Sequence, residues 1–163
     1  MHIKLINKNL NFDNYKIKCS IGKRGISRKK REGDCKTPKG TFKFNKVYYR
    51  KDRILRIKTK LPKFVIKKNM GWCDDPRSNK YNKLISFPFK YRAEKLYLRK
   101  KIYDIILVLN FNLNPIKKGA GSAVFLHIAT KEFSSTKGCV AISKKDMINL
   151  LLKLNKQSRL TIC

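Results

Sequence analysis

The strongest constraint on the fold lies in two stretches rich in β-branched and apolar residues, 103–110 and 124–129, which are short and show no polar alternation. A strand that is apolar on both faces must be covered on both faces, so these segments call for a sheet with packed side chains above and below it. Elsewhere the pattern has a period of two. Apolar residues sit largely at alternate positions in 3–6 and 15–21, marking two half-buried N-terminal strands, and 41–49, 140–142 and 159–162 also read as strands. One segment has a helical period: Ser143 is followed three residues later by Asp146, as in a capping box, and Met147, Leu150, Leu151 and Leu154 recur at helical spacing. That predicts a helix over 144–155. The expected fold is mainly β with one clear C-terminal helix, and 163 residues suit a single domain, 1–163, with one core of useful size.

The connections carry their own signals. Residues 22–40 hold four glycines, Pro38 and the cations Arg24, Arg28 and Arg31, the composition of a long irregular loop. Within it, Thr37-Pro38-Lys39-Gly40 has Pro and Gly where a type I turn takes them. The stretch 50–99 shows no sustained helical period and reads as short strands and loops. Gly71-Trp72-Cys73-Asp74-Asp75-Pro76 reads as a tight polar turn whose aspartates cap backbone groups. Paired carboxylates also serve glycosidases, but the chain has no second acidic cluster to complete such a site. Gly119-Ala120-Gly121 precedes a strand and not a helix, so it is a turn and not a phosphate-binding loop.

Charge bounds the partners. With 41 Lys and Arg against 10 Asp and Glu, the formal net charge is +31, which favours acidic surfaces: nucleic acid, an anionic membrane or wall polymer, or an acidic peptide. An AT-rich coding background, which favours Lys, Asn and Ile, would produce part of this charge without any function. Tyrosines interleave with cations in Val47-Tyr48-Tyr49-Arg50-Lys51, the composition of a base-stacking surface, yet no RNP1-like strand, zinc knuckle or helix-turn-helix is present. Non-specific attraction to nucleic acid follows from composition alone. The longest uninterrupted apolar run, 105–109, is far below the roughly 20 residues of a membrane span. Residues 1–8 break their apolar positions with Lys and Asn and do not read as a signal peptide.

Five cysteines, Cys19, Cys35, Cys73, Cys139 and Cys163, form an odd set without a C-x-x-C pair. Neither a disulfide scaffold nor a metal knuckle is expected, and no cofactor is implied. His127 lies in one apolar strand, and twelve positions later Cys139 stands between Gly138 and the strand 140–142. If 131–137 joins antiparallel neighbours, the fold carries the sulfur within hydrogen-bond reach of the imidazole. A thiol must be deprotonated to attack a carbonyl, and a neighbouring imidazole takes that proton and returns it to a leaving amine. The amides of Gly138 and Cys139 are placed to form an oxyanion hole, with Lys137 beside the thiolate. The alternative is a small buried cysteine and a hydrogen-bonded core histidine, both common. Asp, Asn or a backbone carbonyl would serve equally to orient His127.

Two motifs decide between these. Phe125-Leu126-His127-Ile128-Ala129 through Thr136-Lys137-Gly138-Cys139-Val140-Ala141 resembles the active-site segment of the YkuD-type L,D-transpeptidases. Upstream, Gly33-Asp34-Cys35-Lys36-Thr37-Pro38-Lys39-Gly40-Thr41-Phe42 is similar to that family's T-P-x-G-x-F region. The resemblance implies a β-sandwich-like catalytic domain that cross-links peptidoglycan stem peptides, with Cys139 as nucleophile and His127 as proton carrier. The acyl donor loses its terminal D-Ala, and water in place of an amine acceptor makes the same site an L,D-carboxypeptidase. Thr136, Lys137, Arg24 and Arg28 are the expected substrate contacts. Many family members carry Arg two positions after the nucleophile, where this chain has Ala141, and Arg24, Arg28 or Arg31 would have to replace it.

Overall fold

The structure, a computed structural model, describes residues 1–28 and 31–163; the part of the 22–40 loop at 29–30 lies outside them. The chain begins with a meander of β1 (His2–Ile6), β2 (Asn9–Phe12) and β3 (Tyr15–Ser20). Their buried positions alternate as the sequence pattern demands, with Ile3, Leu5, Leu10, Phe12, Ile17 and Cys19 turned inward. Strand β2 escaped the sequence reading because Asn9 and Asn11 leave it only two apolar residues. Next come a short parallel pair, β4 (Ile26–Ser27) and β5 (Thr37–Pro38), and the ten-residue β6 (Gly40–Tyr49). Thr37 and Pro38 are thus extended and not part of a type I turn: the amide of Lys39 donates to Ser27 O at 3.0 Å and holds the segment against β4.

Strands β7 (Lys63–Val65), β8 (Met70–Cys73), β9 (Leu84–Ser86) and β10 (Ala93–Lys95) fill the middle, followed by a 3₁₀ turn at Lys101–Tyr103. β8 is central in a three-stranded sheet ordered β10-β8-β9. Gly71, Trp72 and Cys73 are therefore buried strand residues, and the expected tight turn begins only at Asp74. Asp75 does cap: its carboxylate accepts from Arg77 N at 3.1 Å and Arg92 N at 3.2 Å.

The last third supplies β11 (Ile105–Leu109), β12 (Phe125–Ile128), β13 (Val140–Ile142), α1 (Lys144–Lys153) and β14 (Arg159–Ile162). A nine-stranded sheet runs β11-β12-β13-β3-β2-β1-β14-β6-β7, and β6 also pairs with β11. Because β6 meets β14 along 40–43 and β11 along 44–49, it belongs to both halves of the sheet and curls it around a core. Leu107, Leu126, Ile128, Val140 and Ile142 face that core, and α1 covers it with Met147, Leu150, Leu151 and Leu154. On the opposite face of β11 and β12, Ile106, Val108 and Phe125 pack with Tyr48, Trp72, Leu96 and Tyr103 in a second cluster. Two cores, one on each side, explain why these strands carry no polar alternation. The capping box also forms: Ser143 Oγ accepts from Asp146 N at 3.1 Å and donates to the Asp146 carboxylate at 2.6 Å.

One expectation is overturned. β12 and β13 pair in parallel, with His127 opposite Ala141, so the connection between them crosses back to the starting edge and is not a hairpin.

Candidate active site

Parallel pairing sets the relation of the sulfur to the imidazole. Register partners in a parallel pair share a face, so Phe125 and His127 stand on the same side as Cys139 and Ala141, with Cys139 diagonal to His127. Both side chains line one cavity of about 800 Å³ on the face opposite the helix-covered core. The Cys139 thiol donates to Ala123 O at 3.1 Å, and its sulfur accepts from Phe125 N at 3.4 Å. Elsewhere, burial in the core pushes the Cys19 thiol up to about 12, where it stays protonated. No disulfide joins any of the five cysteines.

His127 is 6% exposed, and its Nδ1 lies 2.9 Å from Ile128 O. A carbonyl oxygen only accepts, so Nδ1 carries the proton and the neutral ring presents the Nε2 lone pair. Of the three orienting groups the sequence left open, the structure uses the backbone carbonyl. Burial holds the imidazole below its ordinary value, and the backbone hydrogen bonds of Ile128 and Ile102 pull weakly the other way. The Tyr103 ring meets His127 edge-on with centroids 5.3 Å apart, and its hydroxyl donates to Glu94 Oε1 at 2.5 Å. Burial raises the Glu94 carboxyl, partly opposed by that hydrogen bond.

The loop ahead of Cys139 is held by Thr136. Its hydroxyl donates to Cys139 O at 2.6 Å and accepts from Gly138 N at 3.1 Å, so Thr136 shapes the loop and its hydroxyl is already committed. Gly138 turns through φ +137°, where a side chain is strained. Thr136 is itself bridged to Gly22: its amide donates to Ile21 O and its carbonyl accepts from Lys23 N, both at 2.9 Å. Gly22 N in turn donates to the buried Thr37 hydroxyl at 2.7 Å. The two motifs recognised in the sequence are therefore mechanically linked, from Thr37 through Gly22 and Thr136 to Cys139. A Cβ on Gly22 would stand 2.5 Å from Cys35 O and 2.8 Å from Thr37 N. Gly22→Ala is expected to cost about 1–3 kcal/mol of stability by overpacking, measured by denaturant unfolding, and to slow acylation of Cys139.

Arg24, Arg28 and Arg31 are exposed and are not among the described residues that line the cavity. The cavity cations are Arg92, Lys100 and Lys137, balanced by Glu32, Asp74 and Glu94. Arg92 donates to the Asp74 carboxylate at 3.0 Å and to Asp74 O at 2.8 Å. Sequence reasoning missed Arg92, Glu94 and Tyr103, since nothing local distinguishes them from other residues of a basic, aromatic stretch. In the stretch 47–51, Tyr48 is buried, Tyr49 is half-buried against the core, and Arg50 is buried between Asp52 and the Tyr97 ring. Among the described residues, no group of three or more His, Cys, Asp or Glu is gathered to hold a metal ion. No helix among them is long and apolar enough to cross a membrane.

The model of the YkuD family, the L,D-transpeptidase catalytic domain, matches residues 5–162. The chain belongs to this family. No curated protein matches the sequence. The YkuD family performs cysteine-dependent transpeptidase or hydrolase chemistry on peptidoglycan peptides, and its domain is rich in β-strands, as here. In this YkuD domain, Ala141 is buried and lines the cavity.

Proposed function

We propose that this protein is a peptidoglycan L,D-transpeptidase whose nucleophile is Cys139. The observation that carries this reading is the placing of Cys139 and His127 on one face of adjacent parallel strands, open to one cavity in a YkuD domain. His127 Nε2 takes the thiol proton, and the sulfur attacks the carbonyl of the third stem residue. The N–H groups of Cys139 and Gly138 receive the oxyanion, the latter released from Thr136 as charge develops. The carbon–nitrogen bond to D-Ala then breaks, His127 returns the proton to the departing amine, and the acyl group remains as a thioester. A second stem's amine attacks the thioester, and its lost proton restores the starting state. Water in the same position makes the outcome L,D-carboxypeptidation.

Arg92 and Lys137 take the place of the cation missing at Ala141 and face the donor's carboxylate, while Arg24 and Arg28 lie outside the site. A nucleic-acid-binding module, motivated by the +31 charge and by the interleaved tyrosines of 47–51, is less supported where Tyr48 and Arg50 are buried, and the charge by itself gives only non-specific attraction. The test is product analysis. Incubated with disaccharide-tetrapeptide, the protein should release D-Ala and leave either a cross-linked dimer or a tripeptide, the ratio reporting amine against water as acceptor. Intact tetrapeptide after prolonged incubation would sink the assignment.

A further inference from the structure

The cavity balances its charges, but one face of the molecule does the opposite. β1, β2, β3, β14 and the first part of β6 turn Ile3, Leu5, Leu10, Ile17, Leu160 and Ile162 inward. The period of two therefore puts Lys4, Lys16, Lys18, Lys43 and Arg159 on the outer face, with Asn9, Asn11, Thr41 and Thr161 between them. None of these five strands contains Asp or Glu. Of the turns joining β1 to β2 and β2 to β3, one adds Lys8 and the other a single carboxylate, Asp13.

Register shows how the cations are spaced. Arg159 stands directly opposite Lys43 and beside His2, Lys16 is opposite Asn11, Asn11 opposite Lys4, and Asn9 opposite Lys18. Asparagines thus separate Lys4, Lys16 and Lys18, and the one directly opposed pair of like charges is Arg159 with Lys43, where the guanidinium donates to the carbonyls of Lys156, Gln157 and Ser158. With no carboxylate on these strands, the face is complementary to an anionic partner. The polar side chains between are ordered: His2 Nε2 and Thr41 Oγ1 both hydrogen-bond Thr161 Oγ1, at 2.6 and 2.8 Å. The Asn9 and Asn11 amides donate to the carbonyls of Asn7, Lys4 and Asn9, which leaves the lysine ammoniums as the groups that meet phosphate oxygens.

We propose that this sheet face is a docking surface for a linear phosphodiester polymer without bases, a polyol phosphate, which holds the enzyme on its wall-side substrate. Bases find no platform on it, because Tyr15 pairs with Phe12 and shares its inner face, where the two rings stack at 5.3 Å. A lipid surface finds little to hold, since the one large apolar side chain that these strands expose on this face is Ile6. Binding at this face does not involve the thiol, while its use in holding the enzyme near substrate rests on the function proposed above.

The test is fluorescence anisotropy with labelled poly(glycerol phosphate) across a salt series. Replacing Lys4, Lys16, Lys18 and Lys43 together with Gln should weaken binding at least about tenfold at low salt and flatten the log–log salt slope by about 3, near 0.7–0.9 per lost contact. The control replaces the exposed Lys58, Lys60, Lys67 and Lys68 with Gln and should change affinity less than about twofold, since those lysines lie outside the face. The double variant Lys4→Gln/Lys16→Gln gives an intermediate loss and guards against misfolding of the fourfold one. Equal losses in both fourfold variants overturn the proposal, as does equal affinity for single-stranded DNA or phosphatidylglycerol vesicles. D-Ala release from a soluble tetrapeptide should be unchanged in every variant, which separates this result from any failure at Cys139.

Discussion

Cys139→Ala should lower D-Ala release by at least about 10⁴-fold, because no other group on the cavity face can form the thioester. Its melting temperature should move only slightly. The residue is half-buried and small, and the substitution removes two weak sulfur hydrogen bonds, one to Ala123 O and one from Phe125 N, each worth about 1 kcal/mol or less. Cys19→Ala serves as the opposite control. Cys19 packs in the central core, so its removal costs stability while leaving turnover near the wild-type value. Steady-state D-Ala release and thermal unfolding of the two variants, measured side by side, check the pattern. Substantial turnover by Cys139→Ala would contradict it.

His127→Gln should slow acylation by about 10²–10⁴-fold, the range lost when a positioned proton carrier is removed. Gln keeps a polar group near Ile128 O but cannot take a proton at the Nε2 position. Wild-type enzyme should also show an acid limb below pH about 6.5, the ordinary imidazole value, because burial keeps the ring neutral into more acidic solution. The same shift predicts a stability effect. Below that pH the unfolded chain binds a proton at this histidine that the folded chain refuses, so folding weakens as pH falls and is unaffected on the alkaline side. In His127→Gln, that part of the pH dependence of unfolding should vanish. A pH–rate profile of single-turnover acylation and urea titrations at several pH values measure both.

Much of this was readable in the chain because it depended on local pattern. The doubly apolar stretches around Ile106 and Leu126 announced two-sided burial, and Ser143 with Asp146 announced the helix start. What local pattern could not give was pairing. Nothing between Ala129 and Cys139 distinguishes a hairpin from a crossover, and the parallel arrangement arises from Thr136 binding Gly22, over a hundred residues away. The same limit hid Thr136's role, since a threonine that shapes a loop and one that binds substrate look alike until hydrogen bonds are known. Pro38 and Gly40 suggested a turn on composition, yet pairing with β4 kept the segment extended. Arg92 and Glu94 at the start of β10 and Tyr103 in the 3₁₀ turn all line the cavity with Cys139, and only the fold brings them to it.

The most direct measurement is peptide mapping of enzyme quenched during turnover of disaccharide-tetrapeptide. Trypsin cutting after Lys137 and Lys144 isolates Gly138-Cys139-Val140-Ala141-Ile142-Ser143-Lys144, which contains a single cysteine. The tripeptidyl mass should appear on this fragment, as an acid-stable and hydroxylamine-sensitive thioester. Its appearance on a fragment carrying Cys19, Cys35, Cys73 or Cys163, or turnover with no acylated fragment at all, would contradict the account.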